Sequence, residues 1–507
     1  MAVRRLWTIL FVLLATASLS AQDLASIEKR VTVKKLDNGL TVIVMERPEA
    51  PVFSYITFVN AGSANDMPGT TGVAHMFEHM AFKGTDKIGT SDYAAEKVAL
   101  EKVEQAYAAY DAERRKPVGR DAAKVAELEK AWKDAIAAAD KYVVQNEFSK
   151  IVDRAGATGV NAGTAEDETV YFYSMPSNRV ELWAYLESER FLHPVLREFY
   201  KERDVVTEER RYRSESNPIG RLVEQFLAAA FTAHPYGTPG VGWPSDLQTF
   251  SGTDAQAFYR KYYVPSNMTV AVVGDVKASE VLPIIDKYLG RLPKGPAPEP
   301  IRTIEPPQTA ERVVTLRETA QPFYIEGYHR PAATDADDAI YTVIADLLSE
   351  GRTSRLYRSL VRDKKVAAFA AGFNGFPGSK YPNLFSVYGV PTPGHTANDL
   401  AAPIHAEIDR LKSEDVPADE LQSVKTRAKA TLIRQLDSNT GLAQQLATYQ
   451  VIYGDWRELF REVERIDKVT AADIRRVANA TFSPGNRTVA SIESAKPTTA
   501  AKGGETK

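Results

Sequence analysis

Apolar positions along this chain follow two periods, one of about two and one close to a helical turn. The stretch VTVKKLDNGLTVIVMER predicts two strands joined at Asp37-Asn38-Gly39, where Asn-Gly supplies the backbone a tight hairpin needs. PVFSYITFVNAGSAND predicts a third strand, with Val52, Tyr55, Thr57 and Val59 in mixed alternation and an end at Gly62. The Pro68-Gly69 turn then leads into TGVAHMFEHMAFKGT, an apolar run with polar residues at helical spacing. From about Asp92 to Glu147 the texture shifts to Ala, Lys and Glu, broken once at Lys116-Pro117-Val118-Gly119. That predicts a helical hairpin, one arm through Arg115 and the other from about Asp121.

Further on, Val170 to Tyr173 predicts a strand, approached by the polar segment Ala162 to Asp167. Helical patterns cover Val180 to Leu192 and Leu196 to Arg213, and residues 258–276 predict a helix end, a Pro-Ser-Asn turn and an apolar strand. Pro293 to Pro307 holds six prolines and few large apolar residues, which marks a linker. The second half repeats the plan. Strands are predicted at Val313 to Leu316, Phe323 to Tyr328 and Leu384 to Val390, and helices at Asp338 to Leu348, from Ser354 to Val361, and from about Pro417 to Leu432. VTAADIRRVANATF followed by RTVASIE echoes the helix-turn-strand ending of the first half. The fold class expected is therefore α+β: two homologous α/β-sandwich domains joined by a Pro-rich linker, with a helical-hairpin insertion in the first. The boundaries expected are 22–291 and 309–494, with the insertion at about 92–147 and the linker at 292–308.

Composition narrows the function classes. The chain has 507 residues, 44% hydrophobic and 25% charged, and a formal charge of −3, so no nucleic-acid or anionic-membrane partner is expected. Arg4 and Arg5 precede the apolar stretch Leu6 to Ala17, with small residues after it, which predicts a signal peptide over residues 1–21. At about a dozen residues that stretch is short of a membrane span, and no later one is long enough. The expected location is exported, in the periplasm of a two-membrane cell. Cysteine is absent, which removes disulfides, thiolate ligands and a lipoprotein anchor together. Beyond about Ala495 the low-complexity AKPTTAAKGGETK predicts a disordered tail, 495–507.

The chemistry concentrates at His75-Met76-Phe77-Glu78-His79. Of only seven histidines in the chain, two fall here, four residues apart, so on a helix both rings can reach one metal ion. Glu78 shares that face and can touch a metal-bound water. A carboxylate among Val73, Met76, Phe77, Met80 and Phe82 needs a polar partner, which argues against a solvent-facing helix with incidental histidines. This H-x-x-E-H order inverts the commoner zinc motif and makes a zinc peptidase the first hypothesis. Catalytic zinc takes three protein ligands, so one more is needed. The other five histidines lack a helical context rich in carboxylates, whereas Tyr200 to Arg210 has one. Glu202 and Glu209 stand two helical turns apart there. Spacing alone chooses neither between them nor between Glu208 and Glu209, and a salt-laced exposed helix is the bland alternative.

Several blocks together resemble the pitrilysin/insulinase-type (M16) zinc metallopeptidases, the inverzincin group, in particular its short two-domain bacterial members and the mitochondrial processing peptidase. These are GLTVIV, HMFEHMAFKGT, GVNAGTAEDETVYFYSMP, ERDVVTEER, HPYGTPGVG, YVPSNMTVAVVGD and GRTSRLYRSLV, spanning most of residues 30–480. The resemblance implies one Zn(II) per chain, held by His75, His79 and Glu209, with Glu202 behind a ligand. It implies Glu78 as the general base in hydrolysis by a metal-activated water, and Asn161 and Ala162 as the start of an edge strand that holds extended substrate. The separation of His79 from Glu209, 130 residues, is longer than is usual in the family, and the hairpin insertion accounts for the excess. The family's second half also carries an Arg and a Tyr seven residues apart that hold substrate; Arg362 matches the first, but position 369 is Phe. The expected substrate is a peptide or an unfolded polypeptide segment. The expected assembly is a homodimer or a heterodimer with a second subunit of this type, since two fused units are half the length of the four-unit relatives. Two other readings compete: a non-catalytic or partner-dependent subunit, and a periplasmic solute- or metal-binding protein. The first would be expected to lack one of His75, Glu78, His79 and Glu209, and all four are present.

Overall fold

The computed structural model describes residues 27–494, residue 350 excepted. The expected signal peptide and the expected tail lie outside the described residues. The described chain forms two compact units: residues 27–204, 245–300 and 433–461 make the first, and residues 205–244, 301–432 and 462–494 the second.

The first unit is built on β1 (Val31–Lys35), β2 (Thr41–Glu46), β3 (Val52–Val59), β4 (Thr158–Thr164), β5 (Thr169–Pro176) and β6 (Met268–Gly274), in the order β1-β2-β6-β3-β5-β4. The second holds β7 (Arg312–Glu318), β8 (Phe323–Arg330), β9 (Ala367–Phe376), β10 (Asn383–Pro391) and β11 (Arg487–Ser494), in the order β7-β11-β8-β10-β9. The plan is the same in both. β6 lies parallel to β2 and antiparallel to β3, and β11 lies parallel to β7 and antiparallel to β8. The copies share their closing turn as well. The Asn267 amide donates to Tyr262 O at 2.9 Å and Asn60 O at 3.3 Å, and the Asn486 amide to Thr481 O at 2.9 Å and His329 O at 2.8 Å. Ser251 with Asp254, and Thr470 with Asp473, form capping boxes at the helices before those turns. The repeated α/β-sandwich plan expected from the sequence is present.

The helices that position the site or cover the sheets are α1 (Val73–Met80), α2 (Tyr93–Arg114), α3 (Ala122–Ala139), α4 (Val180–Leu192), α5 (Phe199–Arg210), α6 (Pro218–Ala230) and α7 (Asn439–Tyr453). β3 and β6 are buried along nearly their whole lengths, as strands covered on both faces are. Alternate residues of β3 meet α4: the Trp183 ring lies 5.7 Å from Phe53 and 4.9 Å from Tyr55, and Thr57 Oγ1 donates to Glu187 Oε1 at 2.6 Å. α7, from late in the sequence, packs on β3 and β6 of the first unit, while α6, from the earlier half, packs on β7 and β11 of the second. Each unit thus borrows a helix from the other half of the sequence.

α2 and α3 form the expected hairpin. Asp92 and Asp121 cap them, accepting from Ala95 N at 3.1 Å and Ala123 N at 2.9 Å. An aromatic cluster anchors the pair: Trp132 stacks on Tyr110 at 5.4 Å and meets Tyr107 at 5.2 Å and Tyr200 of α5 at 5.0 Å. α5 is shorter than the helix expected to reach Arg213, because a π-type turn takes over at Arg211–Glu215. The helix expected from Ser354 is likewise largely a π-type turn, Tyr357–Asp363.

Candidate metal centre

α1 is short, and its position is set by its first turn. Gly72 caps it with φ of 90°, a left-handed backbone that suits glycine. Asp66 Oδ2 accepts from Gly72 N at 2.7 Å and Oδ1 from Ala74 N at 3.0 Å, filling donors that open helix ends leave unmet. Burial pushes the Asp66 carboxyl up to about 8 against those two hydrogen bonds. Val73, Ala74, Met76, Phe77 and Met80 turn into the core, with Phe77 stacked on Tyr259 at 5.0 Å. This leaves His75, Glu78 and His79 on one side.

The ligand atoms of His75, His79 and Glu209 lie within 4.8 Å of one another. The two rings meet edge to face, 4.7 Å between centroids. Of the adjacent glutamates, Glu209 joins the histidines, while Glu208 is 70% exposed and pairs with Arg211. Glu209 Oε1 is also 2.6 Å from an Arg213 guanidinium nitrogen. Two imidazoles and one carboxylate, all carried on helices, are a donor set that suits catalytic zinc, which keeps its fourth position open.

Behind the cluster, His79 Nδ1 lies 3.1 Å from Glu202 Oε1. Donation from Nδ1 leaves Nε2 of that ring for a metal. Glu202 also forms a salt bridge: Lys83 Nζ is 2.5 Å from its Oε2. Burial pushes the Glu202 carboxyl up, but the hydrogen bonds from His79 and Lys83 outweigh it and hold the group below its ordinary range.

Glu78 is partly buried, and Thr164 Oγ1 donates to its Oε2 at 2.8 Å. Thr164 ends β4, the edge strand of the first sheet, on which Asn161 pairs with Phe172 and Ala162 with Tyr171. Just past it, burial raises the Glu166 and Glu168 carboxyls to about 7. Arg362 belongs to the second unit, on the π-type turn, where its exposed side chain pairs with Asp363 at 2.6 Å. Phe369, on edge strand β9, is 48% exposed with its ring 5.5 Å from Tyr388. Lys83 and Thr164 were not singled out by sequence. Their signals were positional: Lys83 follows His79 by one helical turn, and Thr164 shares a strand face with Ala162.

Residues 41–112 match the family described as Insulinase (Peptidase family M16), and residues 249–428 match the Peptidase M16 inactive domain. The zinc protease PqqE of Helicobacter pylori is 29% identical over 95% of this chain and 96% of its own length. The crystal structure of a protease from Helicobacter pylori superposes with a TM-score of 0.75 at 26% identity, covering 91% of this chain and 99% of that one. The periplasmic protease PqqL from Escherichia coli gives 0.67 at 19% identity, covering 91% of this chain but 47% of the longer protein.

Proposed function

We propose, from the two-domain insulinase-type (M16) zinc-metallopeptidase fold that this chain has, that it is a zinc-dependent endopeptidase. Its substrates are peptides or unfolded polypeptide segments. The observation that carries this reading is the cluster of His75, His79 and Glu209, with the Glu78 carboxylate held on the same helix.

A zinc ion bound there supplies Lewis acidity and lowers the pKa of water. The residues supply the rest. His75, His79 and Glu209 hold the metal, and Glu202 fixes the His79 ring through Nδ1. Glu78 takes a proton at its carboxylate and returns it to the leaving amine, general acid–base help of about 10²–10⁴-fold. Asn161 and Ala162 offer main-chain groups on the edge strand β4 to an extended peptide, a mode that reads backbone and suits unfolded segments. Arg362 contributes a further contact to substrate.

Export through the 1–21 leader is part of this reading, supported by the likeness to a protease described as periplasmic. Among the described residues no helix is long and apolar enough to cross a membrane. The expected domain boundaries, 22–291 and 309–494, are retained as the extents of the two sequence repeats. A second reading rests on Phe369, which lacks the hydroxyl its position carries in the family: the chain then works beside an unequal partner that supplies an intact Arg and Tyr. Mass and peptide turnover on one pure sample separate the two. A dimer that cleaves an unstructured peptide unaided, and stops on chelation, supports the first. An inactive monomer that gains activity only with a second subunit of this family supports the other. Turnover indifferent to chelation contradicts both.

A further inference from the structure

Lys83 lies three residues past the end of α1 and one helical turn beyond His79. Its ammonium is 2.5 Å from Glu202 Oε2 and 3.5 Å from Glu198 Oε2. The other Glu202 oxygen, Oε1, is the one at His79 Nδ1, 3.1 Å away. Both oxygens of this carboxylate are therefore spoken for, one by the imidazole and one by the ammonium. The side chains are 23%, 15% and 9% exposed for Lys83, Glu202 and Glu198, so water screens these pairs far less than surface pairs.

The far side of the ammonium is built with some care. Glu198 immediately precedes α5 with φ of 58°, a left-handed backbone that is unfavourable for a non-glycine residue. Its carboxylate also takes Gln145 Nε2 at 2.8 Å and the Lys201 ammonium at 3.4 Å, and Lys201 pairs with Asp140 at 2.8 Å. Asp140 and Gln145 lie in the segment that returns from the helical hairpin. A line of paired groups thus runs from that segment through Glu198 and Lys83 to Glu202 and His79. A lysine ammonium is a compact charge with three rotatable donors, suited to bridging two carboxylates.

We propose that Lys83 is a positioning residue of the metal centre: by anchoring Glu202 Oε2 it fixes the carboxylate that orients the His79 ring toward the metal. The inference rests on the zinc reading above. Without the ammonium, the Glu202 carboxylate is free to rotate away from His79 Nδ1, and the ring loses its fixed aim. Groups that orient a metal-ligating histidine typically contribute about 10–100-fold to metal affinity. Lys83 acts one bond further out, through Glu202, so its effect cannot exceed that of Glu202 itself.

The test is zinc affinity by competition with a fluorescent chelator, on the full chain and its Lys83→Met, Lys83→Arg, Glu202→Gln and Lys83→Met/Glu202→Gln variants. Lys83→Met should weaken zinc by about 10-fold or more, and Lys83→Arg, which keeps a charge there, should recover most of that loss. In the Glu202→Gln background, removing Lys83 should cost less than about 3-fold, because the two residues act through one contact. Melting of the metal-free proteins checks that folding is unaltered; if Lys83→Met does not fold, Lys83→Gln carries the same comparison. Equal zinc affinity in Lys83→Met and the unaltered chain overturns the inference and leaves the zinc reading standing. So does an equal loss with and without Glu202. An unaltered chain that binds no zinc overturns both.

Discussion

Thr164 Oγ1 donates to Glu78 Oε2 across 2.8 Å, tying the end of edge strand β4 to the helix that carries both histidines. That hydroxyl helps to set the direction of the Glu78 carboxylate at the end of the strand proposed to hold substrate. Hydrogen bonds to charged groups are worth about 1.5–3 kcal/mol, or roughly 10–100-fold in a rate that needs the carboxylate in place. Thr164→Val should bind zinc normally and cleave an unstructured peptide at least ~10-fold more slowly, with Thr164→Ser close to the unaltered chain. Unchanged turnover in the valine variant would show that Glu78 needs no such support.

Glu78 itself should separate chemistry from metal binding. Glu78→Gln keeps the shape and the Thr164 contact but cannot take a proton. It should fold, hold zinc, and hydrolyse the same peptide at least ~10²-fold more slowly. Near-normal turnover at unchanged metal content would remove Glu78 from the role of base.

The Pro-rich segment makes its own pH prediction. Glu305 accepts three backbone N–H groups in the second unit, Thr232 at 2.9 Å, Ala233 at 2.8 Å and His234 at 2.9 Å. Burial pushes its carboxyl up, but those three hydrogen bonds outweigh it and hold the group below its ordinary range. A carboxyl lowered on folding stabilises the fold above its unfolded value, near 4.5, and that contribution fades as pH falls through the lower folded value. Glu305→Gln should therefore cost about 1–3 kcal/mol at pH 7, and the gap to the unaltered chain should narrow below about pH 4. Paired denaturation at the two pH values checks this; a gap that stays constant would mean the charge contributes nothing.

What the sequence disclosed divides along local and non-local lines. α1 and its motif, the α2–α3 hairpin, α4 and strands β2, β3, β6 and β8 follow from period, caps and turn residues, all local signals. β9 does not: Ala367–Phe376 is rich in alanine and glycine, and pairing with β10 makes it a strand. α7 went unread for a related reason. Its polar Gln444, Gln445 and Gln450 hide an apolar side that packs on a sheet from the other half of the chain. At the site, the two histidines and Glu78 are a five-residue pattern and were legible at once. Glu208 and Glu209 differ by one step around a helix, and only the placement of α5 beside α1 separates them. Lys83 and Thr164 are ordinary residues whose importance lies wholly in what folding sets beside them.

The central claim is that His75, His79 and Glu209 form one zinc site. Its most direct test is metal content, by elemental analysis of the purified full chain and of Glu209→Gln at matched concentration. The unaltered chain should carry about one zinc, and Glu209→Gln should lose most of it while keeping its fold, since the third protein ligand of a catalytic zinc would be gone. Full zinc retained by Glu209→Gln would contradict the claim and move the third ligand to Glu202 or Glu208.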